Sequence, residues 1–180
     1  MFRALLNKLR GEGGNKDVNK ESSRADASHR ESNASGSGPL YALIDPVSMP
    51  EYMPTWAPHF ADYDQVVGYS YLGHVFMRNT GAGDYAVLHP FRKAAKSYGE
   101  FADIAAFEEQ ILREPGFAGY VLRDEHVALV RKHVGPLGQG EVYIPTPYPF
   151  IGGDDAPGSY SKGKVWVFLE IVAQMQGLDE

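Results

Sequence analysis

Residues 66–89 read VVGYSYLGHVFMRNTGAGDYAVLH and contain three β-prone runs separated by two turns that carry glycine. The runs are Val66–Tyr71, His74–Arg78 and Tyr85–His89. Branched and aromatic side chains favour extended strands, and glycine allows the tight reversals that join neighbouring antiparallel strands. The stretch therefore predicts an antiparallel meander, with a weaker fourth strand near Lys96–Tyr98.

The segment before the meander, residues 39–63, is rich in proline and aromatic residues. Proline ends helices and cannot donate a backbone hydrogen bond to a neighbouring strand. We therefore expect at most one short helix here and no central strand. The aromatic side chains are expected to pack against the rest of the fold.

Three helices are predicted after the meander, at residues 103–114, 123–134 and 165–176. The first begins at a capping aspartate and the second ends at a Gly-Pro pair, which are common boundary signals. Residues 141–144 have the composition of a short strand. The expected fold class is α+β, with a small antiparallel sheet packed against about three helices.

The last predicted helix is nearly all apolar in its first half. Such a segment is typical of a helix that fills a hydrophobic core. We expect Trp166, Phe168 and Ile171 to be the side chains that enter the core.

The composition changes near Gly38, where the chain divides into a tail, residues 1–38, and a single domain, residues 39–180. Between residues 11 and 38 the apolar side chains are Val18 and three alanines. Such a segment cannot bury enough apolar surface to offset the entropy of ordering. We predict that the tail is disordered.

Residues 1–10 repeat apolar side chains at helical spacing and also carry Arg3, Lys8 and Arg10. A basic amphipathic helix of this kind could contact a membrane or a protein partner. The interpretation that we favour is a frayed terminus, because ten residues rarely hold a helix alone.

Charge is divided between the two parts of the chain. Residues 39–180 carry ten basic and eighteen acidic side chains, a net charge of −8, whereas residues 1–38 carry a net charge of +2. An acidic domain repels nucleic acid and favours basic protein partners, so no nucleic-acid partner is expected. No cysteine, no signal-peptide pattern and no apolar run long enough to span a bilayer are present, which favours a cytoplasmic protein.

The sequence offers few groups that could carry chemistry. His74 and His89 fall in neighbouring predicted strands, with Asp84 between them, but a metal site would need a third ligand on the same face. We favour the interpretation that they are edge or surface histidines. Three carboxylates in helical patterns are expected to be solvated, namely Glu108, Glu109 and Glu170. No catalytic constellation, metal or cofactor is therefore expected.

The C-terminal third carries glycine, proline and apolar residues in a specific order. They are Gly135, Pro136, Leu137, Glu141, Tyr143, Gly152, Gly153, Leu169, Ile171 and Gln174. This pattern resembles the C-terminal domain of type VI secretion immunity proteins, the family that protects bacteria from DNase effectors. That family shows a GPL…E-x-Y…P…GG pattern followed by an apolar terminal helix.

The upstream sequence is similar to the same family. Residues 64–83 resemble its aromatic-rich hairpin, and residues 46–56 resemble the end of the GAD-like domain that usually precedes it. The resemblance covers roughly residues 43–178. Two positions depart from the pattern, because His74 stands where an acidic residue is common and Phe168 where a histidine is common.

The resemblance implies a non-catalytic immunity protein that binds and neutralises a cognate type VI secretion effector, a basic nuclease of the DNase type. The residues expected to bind this partner lie in a loop rich in proline and glycine, and they are Tyr143, Tyr148, Asp154 and Asp155. Two alternatives stay open, which are an intracellular scaffold or regulatory binding domain of the same fold and a small enzyme.

Overall fold

Six strands lie side by side in chain order in a computed structural model that describes residues 30–33 and 38–178. They are β1 (Arg30–Asn33), β2 (Pro39–Ser48), β3 (Gln65–Ser70), β4 (Val75–Arg78), β5 (Asp84–His89) and β6 (Ala94–Glu100). Every neighbouring pair is antiparallel. The short turns between β3 and β6 return each strand beside the one before it, so the predicted meander is confirmed.

Helices and a second small sheet complete the α+β fold that the sequence predicts. The helices are α1 (Met49–Tyr52), α2 (Ile104–Phe107), α3 (Pro115–Phe117), α4 (Asp124–Val134) and α5 (Val165–Met175). Helices α2 and α3 continue as the π-helical turns Glu108–Leu112 and Ala118–Leu122. Single 3₁₀ turns lie at Ala57–Phe60, Pro90–Arg92, Pro149–Ile151 and Pro157–Ser159. The second sheet pairs β7 (Glu141–Pro145) with β8 (Tyr160–Lys164).

Strand β2 shows that the expectation of no central strand in residues 39–63 is wrong. It lies between β1 and β3, and its residues 40–43 are buried. Pro39 opens the strand, and Pro46 falls in the stretch between Leu43 and Val47 where the register with β3 shifts. Both prolines therefore occupy positions at which a missing N–H costs no regular ladder hydrogen bond.

Strand β1 falls within the predicted tail. Arg30–Asn33 pairs with β2 as an edge strand, with Arg30 opposite Leu43, so the tail prediction differs from the structure at these four residues. The remainder of the predicted tail, including the amphipathic pattern at residues 1–10, lies outside the described residues.

Two further elements were not predicted. Pro115 directly follows the helix predicted at residues 103–114, and it is the first residue of α3, where proline needs no hydrogen-bond donor. Glu114 caps this helix by accepting the Phe117 N–H at 2.7 Å. Strand β8 has the polar sequence YSKGK, which lacks the apolar alternation typical of a half-buried strand.

Helix α5 packs against the sheet with one apolar face. Its buried side chains are Val165, Phe168, Leu169, Val172 and Ala173. The Trp56 indole N–H donates to the Leu169 carbonyl oxygen at 2.9 Å and fixes the segment after α1 to this helix. Trp166 is half-buried between Tyr52 and Tyr69, and Ile171 is 40% exposed.

The expectation that Ile171 enters the core is therefore wrong, while that for Phe168 is confirmed. With residues 165, 168, 169 and 172 facing inward, the 3.6-residue period of the helix turns position 171 towards solvent. Within the described residues, no helix has both the length and the apolar character needed to cross a membrane.

We expect Phe168→Ala to lower the free energy of unfolding by about 3–5 kcal/mol, because the buried ring leaves a cavity. Val167→Ala is the matched control, since Val167 is 58% exposed on the same helix, and it should change stability by less than about 0.5 kcal/mol. Urea denaturation of both variants measures the difference. A loss below about 1 kcal/mol in Phe168→Ala would contradict this account of the core.

We expect Gly73→Ala to destabilise the fold more than Gly140→Ala does. Both glycines have a left-handed backbone, with φ of +84° and +70°, so both substitutions carry similar backbone strain. A Cβ on Gly73 would lie 2.5 Å from the Phe168 ring, whereas one on Gly140 would have nothing within 4 Å. The difference between the melting temperatures of the two variants measures the effect of the steric clash at position 73. Equal melting temperatures would show that the clash does not destabilise the fold.

Candidate functional site

A cavity of about 440 Å³ opens at one end of strands β4 and β5. Its floor holds His74, which immediately precedes β4, and His89, the last residue of β5. The 3₁₀ turn Pro90–Arg92, the π-helical turn at residues 118–122 and the loop after β7 supply its walls. The full lining is Leu72, His74, His89, Pro90, Phe91, Arg92, Tyr120, Val121, Arg123, Pro145, Pro149, Asp155 and Tyr160.

The two floor histidines form a pair. Their ring centroids are 4.8 Å apart with an interplanar angle of 72°, because antiparallel pairing of β4 and β5 places them opposite each other. Both strands are interior strands of the sheet, so the histidines are not edge residues, and both are half-buried at the ends of these strands. Asp84, the third candidate ligand, instead accepts hydrogen bonds from Tyr63 and Ser97.

Ser70 orients the ring of His74. The Ser70 hydroxyl oxygen accepts the backbone N–H of His74 at 3.0 Å and lies 2.9 Å from Nδ1 of the same residue. A hydroxyl that accepts one bond can donate its hydrogen to Nδ1, which leaves the ring proton on Nε2. Ser70 is only 1% exposed, so it serves to hold the ring and is not accessible as a nucleophile.

Both floor histidines are held in the neutral form. Burial, together with the nearby His89, Arg123 and Arg92, lowers the pKa of His74 to about 3. Burial also lowers the pKa of His89, with Arg92 and Lys96 acting in the same direction. Near neutral pH the cavity floor therefore presents uncharged imidazoles, which can donate or accept hydrogen bonds without adding charge.

Arg123 and Asp155 form an ion pair at the rim. The two guanidinium nitrogens of Arg123 contact the two carboxylate oxygens of Asp155, with Nη1 at 3.0 Å from Oδ1. Tyr160 donates its hydroxyl to the same Oδ1 at 2.5 Å. Burial opposes ionisation of Asp155, but the hydrogen bonds from Arg123 and Tyr160 outweigh it and lower the pKa of the carboxyl.

His126 completes this group of rim side chains. Its Nε2 lies 3.5 Å from Oδ1 of Asp155, and its ring packs edge-to-face against Tyr160 at a centroid distance of 5.2 Å. Burial and the nearby Arg123 lower the pKa of His126, although Asp155 acts in the opposite direction. The rim therefore links α4 to the loop that follows β7 through one shared carboxylate.

The residues predicted to bind a partner do not share one surface. Tyr143 is fully buried, and its hydroxyl donates to the Gly135 carbonyl oxygen at 2.9 Å, so the expectation that it contacts a partner is wrong. Tyr148 is half-buried against Phe91. Asp154 is exposed, and Asp155 belongs to the rim of the cavity.

Sequence reasoning missed Tyr120, Arg92 and Arg123 as members of the site. Tyr120 is 90% exposed at the mouth of the cavity, on a π-helical turn whose position no apolar period predicts. The only available signal was the placement of His74 and His89 on neighbouring strands. Across the part of the chain that the structure describes, no three His, Cys, Asp or Glu side chains are grouped so as to hold a metal ion.

The prediction of solvated helical carboxylates is wrong for Glu108. It is 8% exposed, accepts the Tyr41 hydroxyl at 2.8 Å and pairs with Arg113 at 3.1 Å. Glu170 accepts the Thr55 hydroxyl at 2.5 Å, whereas Glu109 is largely exposed. These carboxylates lie outside the cavity, and Glu108 and Glu170 connect helices to the segments they pack against.

The motif glycines of the C-terminal third shape the loops around the cavity. Gly152 has φ of +91°, and a Cβ on Gly153 would lie 1.8 Å from the Pro147 carbonyl oxygen. Gly135 ends α4 with φ of +87°. Glu141 accepts the Gly138 N–H at 2.7 Å. The glycines act through their backbone conformation and Glu141 through a side-chain hydrogen bond to the backbone, so these residues specify the fold rather than a ligand.

Comparison with known proteins finds a similar fold but gives no function. No family model matches the chain, and no curated protein matches it. Among solved structures, the fold is similar to the crystal structure of Atu4351 from Agrobacterium tumefaciens, with a TM-score of 0.52 and 15% sequence identity. The match covers 75% of this chain. It covers 66% of the Atu4351 chain, slightly less than two thirds of the length of that protein. At this identity the likeness shows a shared fold alone.

We expect the His74 ring to stay neutral down to about pH 4 in an NMR titration, whereas an unperturbed histidine titrates near 6.5. The urea-unfolded chain is the control. Because only the unfolded state takes up this proton, the free energy of unfolding should fall as pH drops below about 6.5, with no effect above it. Protonation of folded His74 near pH 6 would contradict the assignment.

Proposed function

We propose that this protein is a non-catalytic immunity protein that binds and neutralises a cognate type VI secretion effector of the DNase type in the cytoplasm. The observation that supports this proposal is the resemblance of residues 43–178 to that immunity family, above all the GPL, E-x-Y and GG elements between Gly135 and Gly153. The α+β fold and the acidic domain are compatible with it.

We propose that the partner binds beside the mouth of the cavity, at Tyr120 and at the loop that carries Ile151 and Asp154. Tyr120 is 90% exposed and Ile151 is 55% exposed, and Asp154 lies nearby in sequence on the same loop as Ile151. Exposed aromatic side chains surrounded by polar groups are typical anchors of protein interfaces. We propose this surface in place of the four partner-binding residues predicted from the sequence, because one of them, Tyr143, is buried.

Charge favours a basic partner. The net charge of −8 over residues 39–180 attracts a positively charged protein and repels DNA. A nuclease must present basic groups to the phosphate backbone. An acidic inhibitor would therefore meet it with a high association rate, which is the main contribution of long-range charge to binding.

Co-expression tests the proposal directly. The full chain is produced together with the toxin encoded beside its gene, and survival, DNA degradation and complex formation in a pull-down are measured. Protection with a stable complex supports immunity. Cell death in the presence of abundant folded protein, with no complex, would refute it and favour a scaffold or regulatory role.

We expect Asp154→Lys to slow association with the effector several-fold and to reduce the salt dependence of the association rate, because it replaces a negative charge with a positive one at the proposed interface. Glu51→Lys makes the same change in net charge at an exposed position on α1 and should have the smaller effect. Surface plasmon resonance at several salt concentrations compares the two variants. Equal rates would place the interface elsewhere.

A further inference from the structure

We infer that the cavity floored by His74 and His89 is a binding site for a small organic anion, a carboxylate or phosphate group carried on a flat apolar body. This inference goes beyond the proposed function and does not depend on it. The cavity volume of about 440 Å³ lies within the range of roughly 300–1,000 Å³ that is usual for small-ligand sites.

The walls suit an apolar, flat body. Phe91 and Val121 line the cavity, and three prolines add rigid surfaces that lose no side-chain entropy on contact with a ligand. Tyr120 stands exposed at the mouth, where its ring can cover a ligand. A planar ring is therefore the shape that this lining accommodates with the least rearrangement.

The charges of the lining favour an anion. Arg92 and Arg123 are opposed by one carboxylate, that of Asp155, so the lining carries a net charge of +1 within a domain whose net charge is −8. Asp155 engages the guanidinium of Arg123 through both oxygens and so fixes its orientation. Within residues 30–33 and 38–178, no carboxylate forms an ion pair with Arg92.

The floor supplies hydrogen-bond donors without charge. If the Ser70 hydroxyl donates to Nδ1 of His74, the ring proton lies on Nε2, and the ring of His89 lies beside that of His74. Burial lowers the pKa of both rings, and the nearby Arg92 acts in the same direction on each of them. An incoming anion would meet N–H donors at the floor and a guanidinium at the rim, which is a common arrangement for carboxylate and phosphate recognition.

Backbone strain is concentrated at the same place. Arg123 has φ of +54°, and Lys93, the residue after Arg92, has φ of +48°. They are the only non-glycine residues with positive φ in the described part of the chain. Such conformations cost free energy and are commonly retained at functional sites. The π-helical turn that supplies Tyr120 is a second irregularity of a kind frequent at such sites.

Binding of benzoate, phenyl phosphate, inorganic phosphate and the uncharged benzyl alcohol to the full chain tests the inference. In NMR titrations we expect benzoate or phenyl phosphate to bind at least tenfold more tightly than benzyl alcohol and to shift the His74 and His89 ring signals. Preference for benzoate identifies a carboxylate site, and preference for phenyl phosphate over inorganic phosphate identifies an organic phosphate site.

Arg92→Met and Lys132→Met form the matched pair of variants. Both residues are exposed and lose one positive charge, but only Arg92 lines the cavity. We expect the first substitution to weaken anion binding at least fivefold and the second to change it less than twofold. The inference is overturned if neither organic anion binds, if benzyl alcohol binds equally well, or if both variants behave like the original chain.

Discussion

The position of the Phe168 ring is the constraint on which the rest of the structure depends. The ring lies against the turn at Gly73, at a distance that leaves no room for a Cβ there. It also packs edge-to-face against Phe91 at 5.6 Å and Tyr148 at 6.1 Å. Gly73 directly precedes His74 in the cavity floor. Phe91 lies in the 3₁₀ turn that forms one wall, and Tyr148 lies in the loop after β7. The cavity therefore takes its shape from the packing of α5 in the core.

The charge of the cavity lining differs from that of the domain as a whole, because the lining carries two arginines and one carboxylate whereas residues 39–180 carry a net charge of −8. Most carboxylates contribute to a negative surface, whereas the cavity gathers two arginines around neutral histidines. Burial keeps the His74 ring uncharged, and a protonated ring would stand beside Arg92 and Arg123 at a high electrostatic cost. The two proposals are therefore compatible on one small domain, because long-range attraction of a basic protein acts outside the cavity and short-range attraction of an anion acts inside it.

Much of the fold could be predicted from the sequence, because the meander and the three helices are encoded locally by side-chain period and turn chemistry. Strand β2 could not, since its prolines lie at the strand start and near a register shift that only pairing with β3 reveals. The cavity was harder still. His74 and His89 are brought together by one hairpin, but Arg123 and Asp155 reach the same cavity from distant parts of the chain. No sequence pattern connects groups that meet only through tertiary packing.

The residues that carry the family resemblance and the residues that line the cavity are largely different sets. The first are glycines, prolines and apolar side chains such as Gly153 and Leu169, whose roles here are backbone conformation and core packing. The second include Arg92, Tyr120 and Arg123, which neither the core nor the turns require. Stability constrains the first set more than the second, because a fold depends on its core and its turns whereas a site can change on the same fold. The cavity and its rim are therefore the place to test the two proposals, because the side chains there are not dictated by the fold.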